Sequence, residues 1–175
     1  MNKIASVVLS VLVVSGSDIA SAADYKNTAS IGYAQTQLSG FYSGGMPGVN
    51  LKYHWEDLNS GFGAIASVSY TENNISNGWG GKVKQTTFLV GPSYRFNDYI
   101  SAYAMAGIAN GKVDVPEWDD HQSQNKFTYG AGIQVNPTTD WAIDASYQYA
   151  RFDSGYEPSP HINAGTWVVG VGYSF

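Results

Sequence analysis

The sequence predicts an all-β fold: an eight-stranded antiparallel up-and-down transmembrane β-barrel with four longer extracellular loops and three short periplasmic turns. Three observations predict it. Apolar residues alternate with polar or small ones, at period two, through eight segments. The connections between segments are alternately short and long. The apolar faces carry aromatic residues in two groups, one near the short connections and one near the long ones.

Residues 1–23 read as a secretory signal peptide and 24–175 as the barrel domain. Lys3 supplies a positive start, and Ile4 to Val14 is an apolar run too short to span a bilayer as a helix. Ala20-Ser21-Ala22 and Ser21-Ala22-Ala23 both fit a cleavage site, so the mature chain starts at Ala23 or Asp24. The chain has no cysteine, so export brings no disulfide.

The strands follow in order. Segment 28–38 sets Ile31 and Tyr33 against Gly32 and Ala34. Segment 48–56 sets Val49, Leu51, Tyr53 and Trp55 against Asn50, Lys52, His54 and Glu56. Segment 62–72 sets Phe62, Ala64, Ala66, Val68 and Tyr70 against Ile65, Ser67, Ser69 and Thr71. In 84–96, Thr86, Phe88, Val90, Pro92, Tyr94 and Phe96 oppose Leu89, Gly91, Ser93 and Arg95. Segment 99–110 is small or apolar on both faces; Ile100 and Ile108 are placed outward. In 127–136, Phe127, Tyr129, Ala131, Ile133 and Val135 oppose Thr128, Gly130, Gly132, Gln134 and Asn136. In 141–149, Trp141, Ile143, Ala145, Tyr147 and Tyr149 oppose Ala142, Asp144, Ser146 and Gln148. The last segment sets Trp167, Val169, Val171, Tyr173 and Phe175 against Thr166, Val168, Gly170, Gly172 and Ser174.

The short connections are 57–61, 96–99 and 136–140, rich in turn residues. The long ones are 39–47, 73–83, 111–126 and 153–165. A soluble lipocalin-type barrel would turn the same apolar face inward around a ligand. Eight strands cannot enclose so many bulky rings, so the apolar face meets lipid. The final strand must then close against the first, because an open edge in lipid leaves backbone groups unpaired.

Composition narrows the function. Without Lys3 and Asp18, eight basic and thirteen acidic residues remain, which argues against nucleic acid as a partner. Glu56, Arg95 and Asp144 share the lumen-facing parity and lie near the short-turn end, with Lys52 just above Glu56. They are expected to form one shared charge cluster that plugs the lumen, since an unpaired buried charge is costly. A charged pore constriction is the alternative. Three histidines are present: His54, read as a lumen hydrogen-bonder, His121 and His161. His121-Gln122-Ser123 matches the H-x-S of lipid A deacylases. It sits in an acidic loop with no acidic partner on the next strand, so no catalytic residue, metal or cofactor is assigned. Asp119, Asp120 and His121 read as a solvated loop.

Several words in the right order resemble a family of small enterobacterial barrels, the Ail/Lom/OmpX group. They are "GYAQ" (32–35), "NLKY" (50–53), "SYTE" (69–72), "GPSYRFND" (91–98), "YGAGIQVNP" (129–137) and "GTWVVGVGYSF" (165–175). The resemblance covers essentially the whole mature chain and is weakest in loops 73–83, 111–126 and 153–165. It implies a monomeric barrel in the bacterial outer membrane. It also implies that Val169, Val171, Tyr173 and Phe175 form the signal read by the barrel-assembly machinery. Some members attach to host surfaces or confer serum resistance, and others show no such activity.

The loops are therefore the candidate binding surface. Phe41, Tyr42, Trp79, Trp118 and Tyr156 either anchor contacts to host surface, matrix or serum proteins or pack within the loops and on lipopolysaccharide. Lys82, Lys84 and Arg151 continue the lipid-facing rows just beyond the upper aromatic group. They are candidates for lipopolysaccharide phosphates, with a solvated rim as the alternative.

Overall fold

In a computed structural model the chain forms a closed barrel, described over residues 25–39, 44–75, 81–114, 122–153 and 161–175. The strands are β1 (Tyr25–Ser39), β2 (Gly44–Asp57), β3 (Phe62–Ile75), β4 (Gly81–Arg95), β5 (Ile100–Asp114), β6 (Gln122–Val135), β7 (Trp141–Asp153) and β8 (His161–Ser174). Each pairs antiparallel with its sequence neighbours, and β1 pairs with β8 from Thr28↔Ser174 to Ser39↔Asn163. Beyond that ladder, Phe175 and Asn27 exchange two backbone hydrogen bonds of 2.9 and 3.1 Å. No sheet edge is left open at the seam between the two ends of the described chain, as lipid requires.

The short turns close through their own polar residues. The Asp57 carboxylate accepts from the Asn59 amide and the Ser60 hydroxyl, and Gly61 adopts a positive φ of 74° to turn the chain into β3. Asn97 caps the next turn by accepting from the amides of Tyr99 and Ile100. Thr138 accepts from the Trp141 amide in the third.

Alternation decides which face meets which medium. Phe127 is 67% exposed and Ile31 60%, whereas Glu56 and Asp144 are each 1% exposed. Apolar side chains face outward because the outer solvent is hydrocarbon, and most polar ones find partners inside, Asn136 Nδ2 and Gln148 Nε2 being buried without one. Near the short turns Tyr25 stacks on Trp55, Tyr94 meets Phe62 and Phe96 edge-on, and Trp141 meets Tyr173. At the far end Tyr129 contacts Tyr149, and Tyr147 lies 4.8 Å from Trp167 between ring centres. On β5, where both faces are small or apolar, Ile100 and Ile108 point outward while Tyr103 and Met105 are buried inside.

The strands run further than the sequence pattern indicates. Pairing continues to Leu38↔Gly44, Ile75↔Gly81, Val113↔Gln122 and Asp153↔His161, inside all four segments read as long loops. Above the bilayer both faces can be polar, so the backbone ladder persists where the apolar alternation fades. Two seams stop earlier. The β2–β3 ladder ends at Gly48↔Thr71 and the β6–β7 ladder at Thr128↔Ala150, although their outer neighbours remain paired above those points. Asn73 spans the first gap, donating to the Gly45 carbonyl at 2.7 Å.

Candidate functional site

The lumen is a stack of polar layers. Lys52 on β2 and Asp144 on β7 are separated in the wall by β1 and β8, so their ion pair crosses the lumen as a chord. Both side chains are 2% exposed. The Lys52 ammonium also donates to the Tyr103 hydroxyl at 2.9 Å and the Ser146 hydroxyl at 2.8 Å. Tyr103 in turn donates to the other Asp144 oxygen at 2.6 Å. All three ammonium hydrogens have acceptors, which a buried lysine needs to remain charged. Gly132 makes room for this node: a Cβ there would lie 2.4 Å from the Tyr103 oxygen and 2.6 Å from Ser146 Cβ.

Nearer the short turns, His54 bridges Gln134 on β6 (2.9 Å) and Ser93 on β4 (2.7 Å). Below it Glu56 accepts from the Ser101 hydroxyl and pairs with Arg95 at 3.5 Å. Towards the loops, Asn50 donates to Ser67 and Ser69, and Thr36 pairs with Thr166. Apolar side chains fill the gaps between these layers: Ile65, Leu89, Tyr103 and Met105 in one cluster, Ala109, Ala150 and Ala164 in another.

This arrangement corrects one expectation. Glu56, Arg95 and Asp144 do not share a single cluster: Glu56 pairs with Arg95, and Asp144 pairs with Lys52. Counting residues from the turns ignores strand tilt. Residues equally distant from their turns on well-separated strands therefore reach different heights. Sequence reasoning also missed Tyr103, Ser93, Ser101, Gln134 and Ser146 as partners of the charged groups. Their inward parity was visible for all but Tyr103 and Ser101 on β5, but no sequence signal pairs residues across a lumen.

Phe41, Tyr42, Trp79, Trp118 and Tyr156 lie outside the described residues, as do His121, Asp119 and Asp120. Lys82 stands between Asn74 and Asp114 in the ladders, and Lys84 between Glu72 and Lys112. Arg151 is exposed and stands opposite Asn163. Strands β5 and β6 separate it from the β4 lysines, so the three cations occupy two regions of the rim. Lys112, which the sequence reading did not single out, stands opposite Lys84 in the β4–β5 ladder. Val169, Val171, Tyr173 and Phe175 form an exposed outward row on the closing strand.

Known proteins place this architecture. The family model of the outer membrane protein β-barrel domain matches residues 6–175. The attachment invasion locus protein of Yersinia enterocolitica is 40% identical over 161 residues, covering 86% of each chain. Outer membrane protein X of Escherichia coli is 38% identical over 154 residues, covering 85% of each. The crystal structure of Ail, the attachment invasion locus protein of Yersinia pestis, in complex with the heparin analogue sucrose octasulfate matches with a TM-score of 0.74. Identity is 33%, over 86% of this chain and 99% of that one. With its lipid-facing apolar wall, polar lumen and two aromatic belts, this chain is a bacterial outer-membrane protein and belongs to the outer membrane protein β-barrel family, in its Ail/OmpX group.

Proposed function

We propose that this barrel mediates attachment to host surfaces through its extracellular connections, with serum resistance as a further consequence of the same contacts. The observation that carries the reading is the 40% identity to an attachment invasion locus protein over 86% of both chains. A related barrel was crystallised with a heparin analogue, which makes a sulfated host polysaccharide, besides matrix or serum proteins, a ligand class to test here. The lumen's charged groups are engaged with one another, so recognition falls to the loops. The same internal satisfaction favours a second reading, a structural barrel that supports the envelope without a dedicated partner.

Two experiments separate these readings. Cells with and without the protein are compared for attachment to cultured host cells, and then with the four loops exchanged for those of a non-adherent barrel. Attachment that survives the exchange would leave the structural reading standing. Replacing Trp79 and Trp118 by Ala is expected to reduce attachment while the barrel still folds, with about 2 kcal/mol or more lost per anchoring ring. Unchanged attachment would remove these two residues from the binding site.

In the membrane we read the chain as a monomer that binds without catalysis and is delivered by the barrel-assembly machinery through the Val169, Val171, Tyr173 and Phe175 row. Lys82, Lys84 and Arg151 then meet the phosphates of lipopolysaccharide, Arg151 with the option of bidentate contact. Neutralising all three is expected to lower the lipopolysaccharide that co-purifies, with folding in neutral detergent unchanged. Equal retention would reduce them to a solvated rim.

A further inference from the structure

The seam between β6 and β7 opens into a notch on the outer wall. Its ladder stops at Thr128↔Ala150, while β6 stays paired with β5 up to Val113↔Gln122 and β7 with β8 up to Asp153↔His161. Above the last rung, the backbone groups that the two strands turn towards each other have no ladder partner. Open sheet edges of this kind present N–H donors to an anion.

Directly below the notch the wall is paved with rings. Tyr129 and Tyr149 are ladder partners across the seam with ring centres 5.6 Å apart, and Phe127 lies 6.4 Å from Tyr129. On the β8 side Tyr147 meets Trp167 at 4.8 Å. Gly165, opposite Tyr149, joins the two groups: a Cβ there would lie 2.4 Å from the Tyr147 hydroxyl, so Tyr147 leans across bare backbone. Phe127, Tyr129, Tyr147 and Trp167 are all exposed. Such rings settle at the headgroup level of a membrane.

Donors stand along the upper edge of this band. Arg151 is exposed and makes no ion pair with a described residue. Its ladder partner Asn163 accepts from the Tyr149 hydroxyl through Oδ1 at 2.7 Å, which leaves Nδ2 to donate. Across the notch, exposed Asn125 accepts from Asn110 through Oδ1 at 2.7 Å, so its Nδ2 is left to donate as well. Asp153, two residues above Arg151 on β7, stands opposite His161. The β4 rim is built otherwise. There Glu72 stands opposite Lys84 and Asp114 opposite Lys82, so each lysine has an acidic cross-strand neighbour.

We propose that the outer face of β6–β8 is a binding site for the phosphorylated sugar headgroup of an outer-leaflet glycolipid. Arg151, Asn163 and Asn125 hold the phosphate at the open seam, and the sugar and first acyl methylenes lie over the ring band. One guanidinium flanked by neutral amides supplies several donors to a single phosphate, which is the chemistry a phosphate ester needs. The inference rests on the reading that the rim meets lipopolysaccharide, and it narrows three scattered cations to one built site.

The probe is lipid A, either bisphosphorylated or with both phosphates removed, titrated onto the isotope-labelled barrel in neutral-detergent micelles. The Arg151 Nε–H and the Asn125 and Asn163 side-chain amide resonances are expected to shift with the first lipid and not with the second. Arg151→Gln should weaken the apparent affinity about tenfold. Lys82→Gln combined with Lys84→Gln should weaken it less than about twofold. Excess inorganic phosphate should not displace the lipid; full displacement would overturn the sugar platform and leave a phosphate contact alone. Full affinity in Arg151→Gln overturns the site, and a loss in the double lysine variant would then keep the lipopolysaccharide reading at β4. A wild type that binds both lipids equally overturns that reading and the site together. Should Arg151→Gln fail to fold, Asn125→Ala combined with Asn163→Ala decides, with an expected loss of about fivefold and full affinity overturning the site.

Discussion

Replacing Asp144 with Leu is expected to lower the stability of the folded barrel by about 3–5 kcal/mol, read as a shift in the urea unfolding midpoint in phospholipid vesicles. The substitution strands the Lys52 ammonium, which is 2% exposed, and takes an acceptor from Tyr103. The partner substitution Lys52→Met should recover most of the loss, because a buried pair replaced together by apolar groups costs far less than a pair broken. Tyr103 and Ser146 then retain each other's neighbourhood without a charge between them. A loss below about 1 kcal/mol for Asp144→Leu would show that water screens this layer.

Gly132→Val should cost about 3 kcal/mol, by a different route. Here no charge is removed. The new side chain occupies the space of the Tyr103 hydroxyl and presses on Ser146, neither of which can retreat through the barrel wall. Displacing Tyr103 breaks its bonds to Lys52 and Asp144, adding an unsatisfied buried group to the overpacking. The test is coupling: in a Tyr103→Ala background the space is already open, and Gly132→Val should cost at least about 1 kcal/mol less than in the wild type. Equal costs in both backgrounds would place the clash in the backbone and not at Tyr103.

Much of this was legible in the chain, and the reasons differ by element. Rows such as Trp141, Ile143, Ala145, Tyr147 and Tyr149 against Ala142, Asp144, Ser146 and Gln148 declare one face for lipid and one for the lumen, because a strand has only two faces. On β5 the residues Ala102, Ala104 and Ala106 suit either environment, so the inward Tyr103 was not distinguished. The inward parity of Lys52, Glu56, Arg95 and Asp144 was readable, but their pairing was not. Lys52 and Asp144 are 92 residues apart in sequence, and only strand tilt and barrel curvature decide which charge meets which. Strand ends above the bilayer were underestimated because polar-on-both-faces strands carry no period. The partner bound by the loops has no local signature, since exposed aromatic residues serve protein contacts, sugar contacts and loop packing alike.

The unequal seams also determine how the cylinder comes apart. The junction of the first and last strands is the one made without a connecting turn, yet its ladder runs unbroken from Thr28↔Ser174 to Ser39↔Asn163. The β6–β7 seam stops at Thr128↔Ala150 and the β2–β3 seam at Gly48↔Thr71. Under load or heat the wall is expected to open first from the top of these two internal seams. The halves that peel back are the sheet β3–β6 and the sheet β7–β8–β1–β2, the second carrying the first and last strands paired together. Mechanically, the pairing of β1 with β8 is the clasp of this molecule, and its tear lines lie between interior strands.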